Sequence, residues 1–169
     1  MRAATMIFTG ITALAAGAMV YVLDRPVGIF SFFEKGYAGV TFGPAGDWLP
    51  DALHPFAMAL ICAGTAGGKP KSLRFWAVFW GCVGLWMEAG QYYGERAASL
   101  LPPAFHSMPF LHRIGDYFIH GTFDPMDVMG IVLGSAAAFS LSFYKTPLKM
   151  PQKTRISAFM APYGQSLKR

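Results

Sequence analysis

Four apolar runs dominate this sequence: Met6 to Leu23, about Ala52 to Gly68, Phe75 to Gly94, and Pro125 to Tyr144. Each is close to the ~20 residues that an α-helix needs to cross a bilayer. Lipid offers no partner for backbone N–H and C=O groups, so a spanning segment closes its hydrogen bonds within itself. The expected fold is therefore all-α, a polytopic bundle of about four transmembrane helices. Composition agrees, with 54% hydrophobic and only 14% charged residues and a mean hydropathy of +0.38, against roughly a quarter charged in ordinary soluble domains. The second run is the least regular. It contains Pro55 and several glycines near its end, which membrane helices tolerate where neighbours re-satisfy the backbone.

Arg2 ahead of an apolar run containing Ala13-Leu14-Ala15 has the outline of a signal peptide. The run continues to Leu23, however, which fits an uncleaved first helix better. Val27 to Gly46 mixes five aromatic residues with five glycines and is too interrupted to span, so an interfacial position is expected. Glu95 to Phe123 carries Phe105, Phe110, Tyr117 and Phe118 among prolines and histidines, which predicts an apolar cap rather than a solvated loop. The chain thus divides into a four-helix domain over 1–144 and a basic cytoplasmic tail over 145–169.

Charge sets the orientation, because short loops rich in Lys and Arg stay cytoplasmic. With both termini inside, Arg2, Lys69, Lys71, Arg74, Lys145, Lys149, Lys153, Arg155, Lys168 and Arg169 are cytoplasmic, ten of the fourteen basic residues. All nine acidic residues and all four histidines then fall on the outer face or at the outer helix ends. Any polar chemistry is expected to face outward.

Three helices bring polar pairs at a spacing of three to the same depth: Asp51 with His54, Glu88 with Gln91, and Asp124 with Asp127. That spacing puts each pair on one helix face. Tyr92 and Glu95 extend the Glu88 stripe by another turn. Ionisable groups near hydrocarbon are costly and usually face a cavity or a partner, so this outer cluster is either a site or a structural network. Asp124-Pro125-Met126-Asp127 also has the pattern of a helix start, with a cap, a proline at the first helical position and a carboxylate in the first turn. Asp47, Pro50 and Asp51 repeat it. His54 could pair with a neighbouring carboxylate, and Glu88 with Arg96 or Arg113. Glu88 is the least explained by capping, since it lies near the C-terminal, negative end of its helix dipole.

Small residues mark close packing: Ala13 with Gly17 in the first helix, and Gly130, Gly134 and Ala138 in the last. Cys62 and Cys82 sit in mid-run apolar segments, which argues against a disulfide framework or a thiolate metal site. Facing histidines for a haem and HExxH are absent, as are phosphate-binding and nucleic-acid-binding motifs. Neither metal, cofactor nor nucleic acid is expected.

At Glu88-x-x-Gln91, Asp124-x-x-Asp127-Val128 and Gly134, with Asp51-x-x-His54 upstream, the chain resembles the VanZ-like family of small bacterial multi-helix membrane proteins. The resemblance covers the second to fourth helices and implies a bacterial cytoplasmic (inner) membrane location. Asp127 and Gly134 match the family's last-helix pattern. Ile131 stands where an asparagine is usual, and Gly121 lies near the place of an expected arginine.

Two functions fit. One is a non-enzymatic accessory subunit packing against a larger membrane assembly, through surfaces such as the aromatic row Phe75, Trp76, Phe79, Trp80 and the basic tail. In that tail Ile156, Phe159, Met160 and Tyr163 predict a short interfacial or partner-bound helix around Thr154 to Ala161. The other is an envelope enzyme or binder acting on a lipid-linked or glycan substrate through the outer carboxylates. Membrane lipids are partners in either case. The discriminator is whether Asp51, His54, Glu88, Gln91 and Asp127 converge on an open cavity or seal one another.

Overall fold

A computed structural model describes residues 1–24, 42–109 and 111–144. The predicted tail helix, and most of the segment predicted to lie at the interface, fall outside the described residues. Among the described residues the chain is all-α. Four long helices, α1 (Ala3–Asp24), α2 (Pro44–Thr65), α3 (Pro70–Tyr93) and α6 (Pro125–Leu141), are accompanied by two short ones, α4 (Glu95–Ser99) and α5 (Ile114–His120), and by a 3-10 turn at Pro103–Ser107.

The helix boundaries follow local chemistry. Pro44, Pro70 and Pro125 stand in the first turns of α2, α3 and α6, where a missing N–H costs no hydrogen bond. Asp124 caps α6, its carboxylate accepting from the Met126 N–H at 2.8 Å. Gly94 ends α3 at φ 52°, a left-handed conformation that glycine adopts without a Cβ penalty. The helix α2 starts eight residues before the apolar run that predicted it, and this corrects the reading of Asp51: it lies inside the helix rather than at its start. The residue before α2, Gly43, offers no side-chain cap. Asp24, at the end of α1, holds the chain just before that start, accepting from the Phe42 N–H at 2.8 Å and lying close against Gly46. Pro50 and Pro55 stand inside α2 and each removes one rung of its hydrogen-bond ladder.

Helix α2 packs against α1, α3 and α6, whereas among the described helices α1 packs on α2 alone. Neighbours meet through small residues. A Cβ on Gly10 would lie 2.7 Å from Ile61 Cγ1 and 2.8 Å from the Ala57 carbonyl oxygen, and one on Gly17 would lie 3.2 Å from Leu53 Cβ. Gly10 and Gly17, seven residues apart, mark a heptad-like seam, and Ala13, half-buried, lies on the same face. On α6, a Cβ on Gly130 would meet the Trp48 carbonyl oxygen at 2.6 Å, and one on Gly134 would collide with that of Ala52, while Ala138 is fully buried. This glycine stripe therefore packs within the chain, against α2.

The two ends of the bundle differ. Helices α1 and α3 start where α2 and α6 finish, and Arg2, Lys69, Lys71 and Arg74 gather at this basic end. Here the core is dry, built from Met6, Ala59, Leu60, Ala63, Leu73, Ala77 and Ala138. Arg74 Nε donates to the buried Ser142 hydroxyl at 2.9 Å, and its guanidinium lies 4.4 Å over the Phe143 ring, so the charge is held by an oxygen and a π face. The opposite, acidic end holds Asp24, Asp51, Glu88, Asp124 and Asp127.

Large apolar side chains are exposed along the long helices. Phe8 is 74% exposed, Met19 63%, Phe75 60%, and Val132 and Leu133 50% each, while the largest fully buried side chains are Phe118, Leu60, Leu73 and Pro55. Among the described residues one helix, α1, is by itself long and apolar enough to cross a membrane, and α6 is an apolar helix of 17 residues. Gly, Pro, Trp and charged residues lower the mean hydropathy of α2 and α3.

Candidate functional site

The acidic end encloses a hollow of about 240 Å³ lined by residues of α2, α3, α5 and α6: Asp51, His54, Pro55, Trp80, Val83, Gly84, Met87, Glu88, Tyr117 and Ile131. A second hollow of about 290 Å³, on the α1 side of α2, includes Leu14, Gly17, Tyr21 and Pro50, and shares Asp51 and His54 with the first. Those two side chains form the partition between the hollows.

Glu88 is the central group. Its residue is 4% exposed, and it reaches the hollow because Ala77, Gly81, Gly84 and Glu88 recur along one face of α3 at the spacing of a helical turn. Gly81 and Gly84 bring that face close to Ser135 and Ile131 of α6. Gln91, one turn on, fixes half of the carboxylate: its Nε2 donates to Glu88 Oε1 at 2.8 Å and to the Tyr117 hydroxyl oxygen at 3.0 Å. Glu88 Oε2 is buried and accepts no hydrogen bond from the described residues. The backbone amide of Asp124 faces the carboxylate, and the charges of Asp127 and Asp124 act on it. The buried indole N–H of Trp80 likewise makes no hydrogen bond among the described residues. Unmade bonds of this kind are rare in protein interiors and cost about 1–3 kcal/mol each, more for charged groups.

His54 does not pair with Glu88. Its ring stands edge-on to Trp80, with centroids 6.1 Å apart and planes at 82°. Tyr117 is carried into the site by α5, which is anchored by Phe118. That ring is 1% exposed, fills the space left by Gly90 and stands edge-on to Trp86 at 5.4 Å. Partial burial, and then the neighbouring Glu88 charge, hold the Tyr117 phenol above its ordinary value.

The predicted polar residues thus divide. Asp51, His54 and Glu88 share the hollow, Gln91 braces Glu88 from its rim, and Asp124 and Asp127 stand close by at the start of α6. Glu95 and Tyr92 do not join them: Gly94 ends α3, so Glu95 starts α4, and both side chains are exposed. Glu88 pairs with Gln91 rather than with Arg96 or Arg113. The aromatic row also splits, with Phe75 and Phe79 stacked on the outside at 6.2 Å and Trp80 turned into the hollow. Sequence reasoning missed two wall residues. Trp80 lies two turns before Glu88 on the same face, a signal that was present. Tyr117 sits on a short helix with no periodic link to the site, and nothing local marked it.

Among the described residues, no three His, Cys, Asp or Glu side chains group in a way that could hold a metal ion. Chemically, the hollow offers carboxylate acceptors, an indole donor, two aromatic rings and apolar walls. Compared with family models, curated proteins and solved structures, the chain matches none of them.

Proposed function

We propose that this chain is an integral membrane protein of four transmembrane helices with both termini inside, VanZ-like in its motifs, and seated in a bacterial cytoplasmic membrane. Its outer hollow binds the head group of a lipid-linked or glycan ligand. The observation that carries this reading is Glu88, a buried carboxylate on the wall of a hollow, braced on one oxygen and open on the other. A purely structural network would satisfy both oxygens.

The membrane part rests on the inverted distribution of side-chain size. Glycines and alanines fill the helix contacts, while Phe, Met, Val and Leu face outward. In water an exterior of this kind is an aggregation liability; in lipid it is a solvent match. At 1.5 Å per residue α2 and α3 are about 33 and 36 Å long, and α6 about 26 Å, extended at its end by Phe143 and Tyr144. The charge division between the ends supports the orientation.

Cysteine-accessibility labelling in a background lacking Cys62 and Cys82 tests the topology: cysteines at Lys69 and Lys149 should react only from the cytoplasm, and those at Asp47 and His112 only from outside. Native mass spectrometry of gently extracted protein tests the binding, with a retained lipid or glycan expected on the wild type and lost from Glu88→Gln. An identical ligand-free spectrum for both would remove the reading.

The alternative is an accessory subunit of a larger membrane assembly. It is favoured by the exposed stacked pair Phe75 and Phe79, continued along α3 by Trp86 at 44% exposure. Co-purification of a stable partner that is lost on Phe75→Ala/Phe79→Ala substitution, with the hollow empty, would establish it.

A further inference from the structure

We infer that the hollow beside Glu88 takes an organic ammonium group, a class of ligand that deepens the binding reading above and rests on it. A carboxylate only accepts hydrogen bonds, so the open oxygen of Glu88 needs a donor. Asp51 contributes a second carboxylate to the same wall, and among the described residues neither Lys nor Arg lines the hollow. The nearest basic residue toward the start of the same helix, Arg74, is fourteen positions and about 21 Å along the axis and is already bound to Ser142 and Phe143. Among the described residues, no Lys or Arg lines the hollow beside Glu88, so a cationic ligand group suits its carboxylate.

The walls decide which kind of cation. Trp80 and Tyr117 present aromatic rings, which attract an organic cation through their π faces, and Val83, Met87 and Ile131 give the rest of the lining apolar character. A hydrated divalent ion demands several oxygen ligands at short range. Among the described residues, no three His, Cys, Asp or Glu side chains group in that way. A protonated amine, or an alkylated one, meets both requirements, with charge toward the carboxylates and methylene or methyl groups against the rings. At about 240 Å³ the hollow has the room of about eight waters at ~30 Å³ each, enough for an ethanolamine, choline or amino-sugar group. The ammonium could arrive on a membrane lipid or on a soluble amine, and the chemistry of recognition is shared.

The test uses the full-length chain in nanodiscs of phosphatidylglycerol alone, with equilibrium dialysis against labelled ethanolamine, glucosamine and glucose. Ethanolamine and glucosamine are expected to bind saturably at one site, with glucose at least about tenfold weaker. Glu88→Gln and Asp51→Asn are each expected to weaken the amines by about tenfold or more at unchanged helical circular dichroism; if either variant fails to fold, the other decides. Including phosphatidylethanolamine in the disc should displace the soluble amine if lipid is the source and leave it bound if it is not; both results support an ammonium site. Glucose binding as tightly as glucosamine, with loss in Glu88→Gln, would overturn the ammonium inference and leave the binding reading standing. Calcium chloride displacing ethanolamine at lower concentration than ethanolamine itself binds would overturn it in favour of a metal. Wild-type protein that binds no amine and no sugar, and retains no ligand in native mass spectrometry, would remove both.

Discussion

The two ends of the bundle are built from the same four helices, yet they resolve their polar groups in opposite ways. At the basic end Arg74 is closed off by Ser142 and Phe143 beside a dry core of Leu, Met and Ala. At the acidic end Glu88 keeps an open oxygen beside a hollow, although α2, α3 and α6 all continue into it. Helix packing therefore does not by itself force a polar group to be satisfied. The acidic end leaves bonds unmade where the opposite end, with the same chain and the same small-residue contacts, completes them. Such local inconsistency marks function more often than error in a folded protein.

Five substitutions can break or sharpen that contrast. The largest effect is expected for Gly134→Val, because a Cβ there already collides with the Ala52 carbonyl and backbone cannot yield as a side chain can. A loss of about 3 kcal/mol, or failure to accumulate, should appear in thermal or denaturant unfolding in detergent. Leu73→Ala, at a fully buried position of the dry core, comes next with a loss of about 2 kcal/mol. That is the low end for such truncations, because lipid solvates an exposed leucine as well as the core does. Third is a pair with opposite signs. Glu88→Gln should raise the stability of the ligand-free protein by about 1 kcal/mol by removing an under-satisfied buried charge, whereas Ser142→Ala should lower it by about 1 kcal/mol by taking the acceptor from Arg74. Equal signs would remove the distinction between the ends. Leu133→Ala, 50% exposed on α6, should change stability by less than about 0.5 kcal/mol and serves as the measure of lipid-facing tolerance.

The long helices were legible because their apolar runs and prolines carry local signals. Asp124 was legible for the same reason: a cap followed by proline is written in adjacent residues. The error at Asp51 has a physical origin, since the same aspartate-proline pattern occurs twice within a few residues of α2, and the start is decided by Gly43-Pro44 and by Asp24 reaching across from α1. Helical spacing identified Glu88 with Gln91, but it extended the stripe to Glu95, because a glycine read only as composition gives no sign of the positive φ that Gly94 adopts. Tyr117 could not be read at all. Its place depends on Phe118 locking α5 over Gly90, a contact between residues 28 positions apart. Gly10 was overlooked in favour of Ala13 because close approach depends on register with α2, which the sequence of α1 does not contain.

The two prolines inside α2 have a dynamic consequence. Pro50 and Pro55 take two rungs from the stretch of α2 that lines both hollows, while the stretch from Ala57 to Gly64, packed on α1 and in the dry core, keeps its ladder. Amide exchange with solvent deuterium should accordingly be graded along this one helix, fast before Pro55 and slow after it, because protection follows the free energy of local opening. Since α2 touches each of the other long helices, a guest entering beside Glu88 would meet the most yielding segment of the most connected helix, and its arrival should register as slowed exchange there.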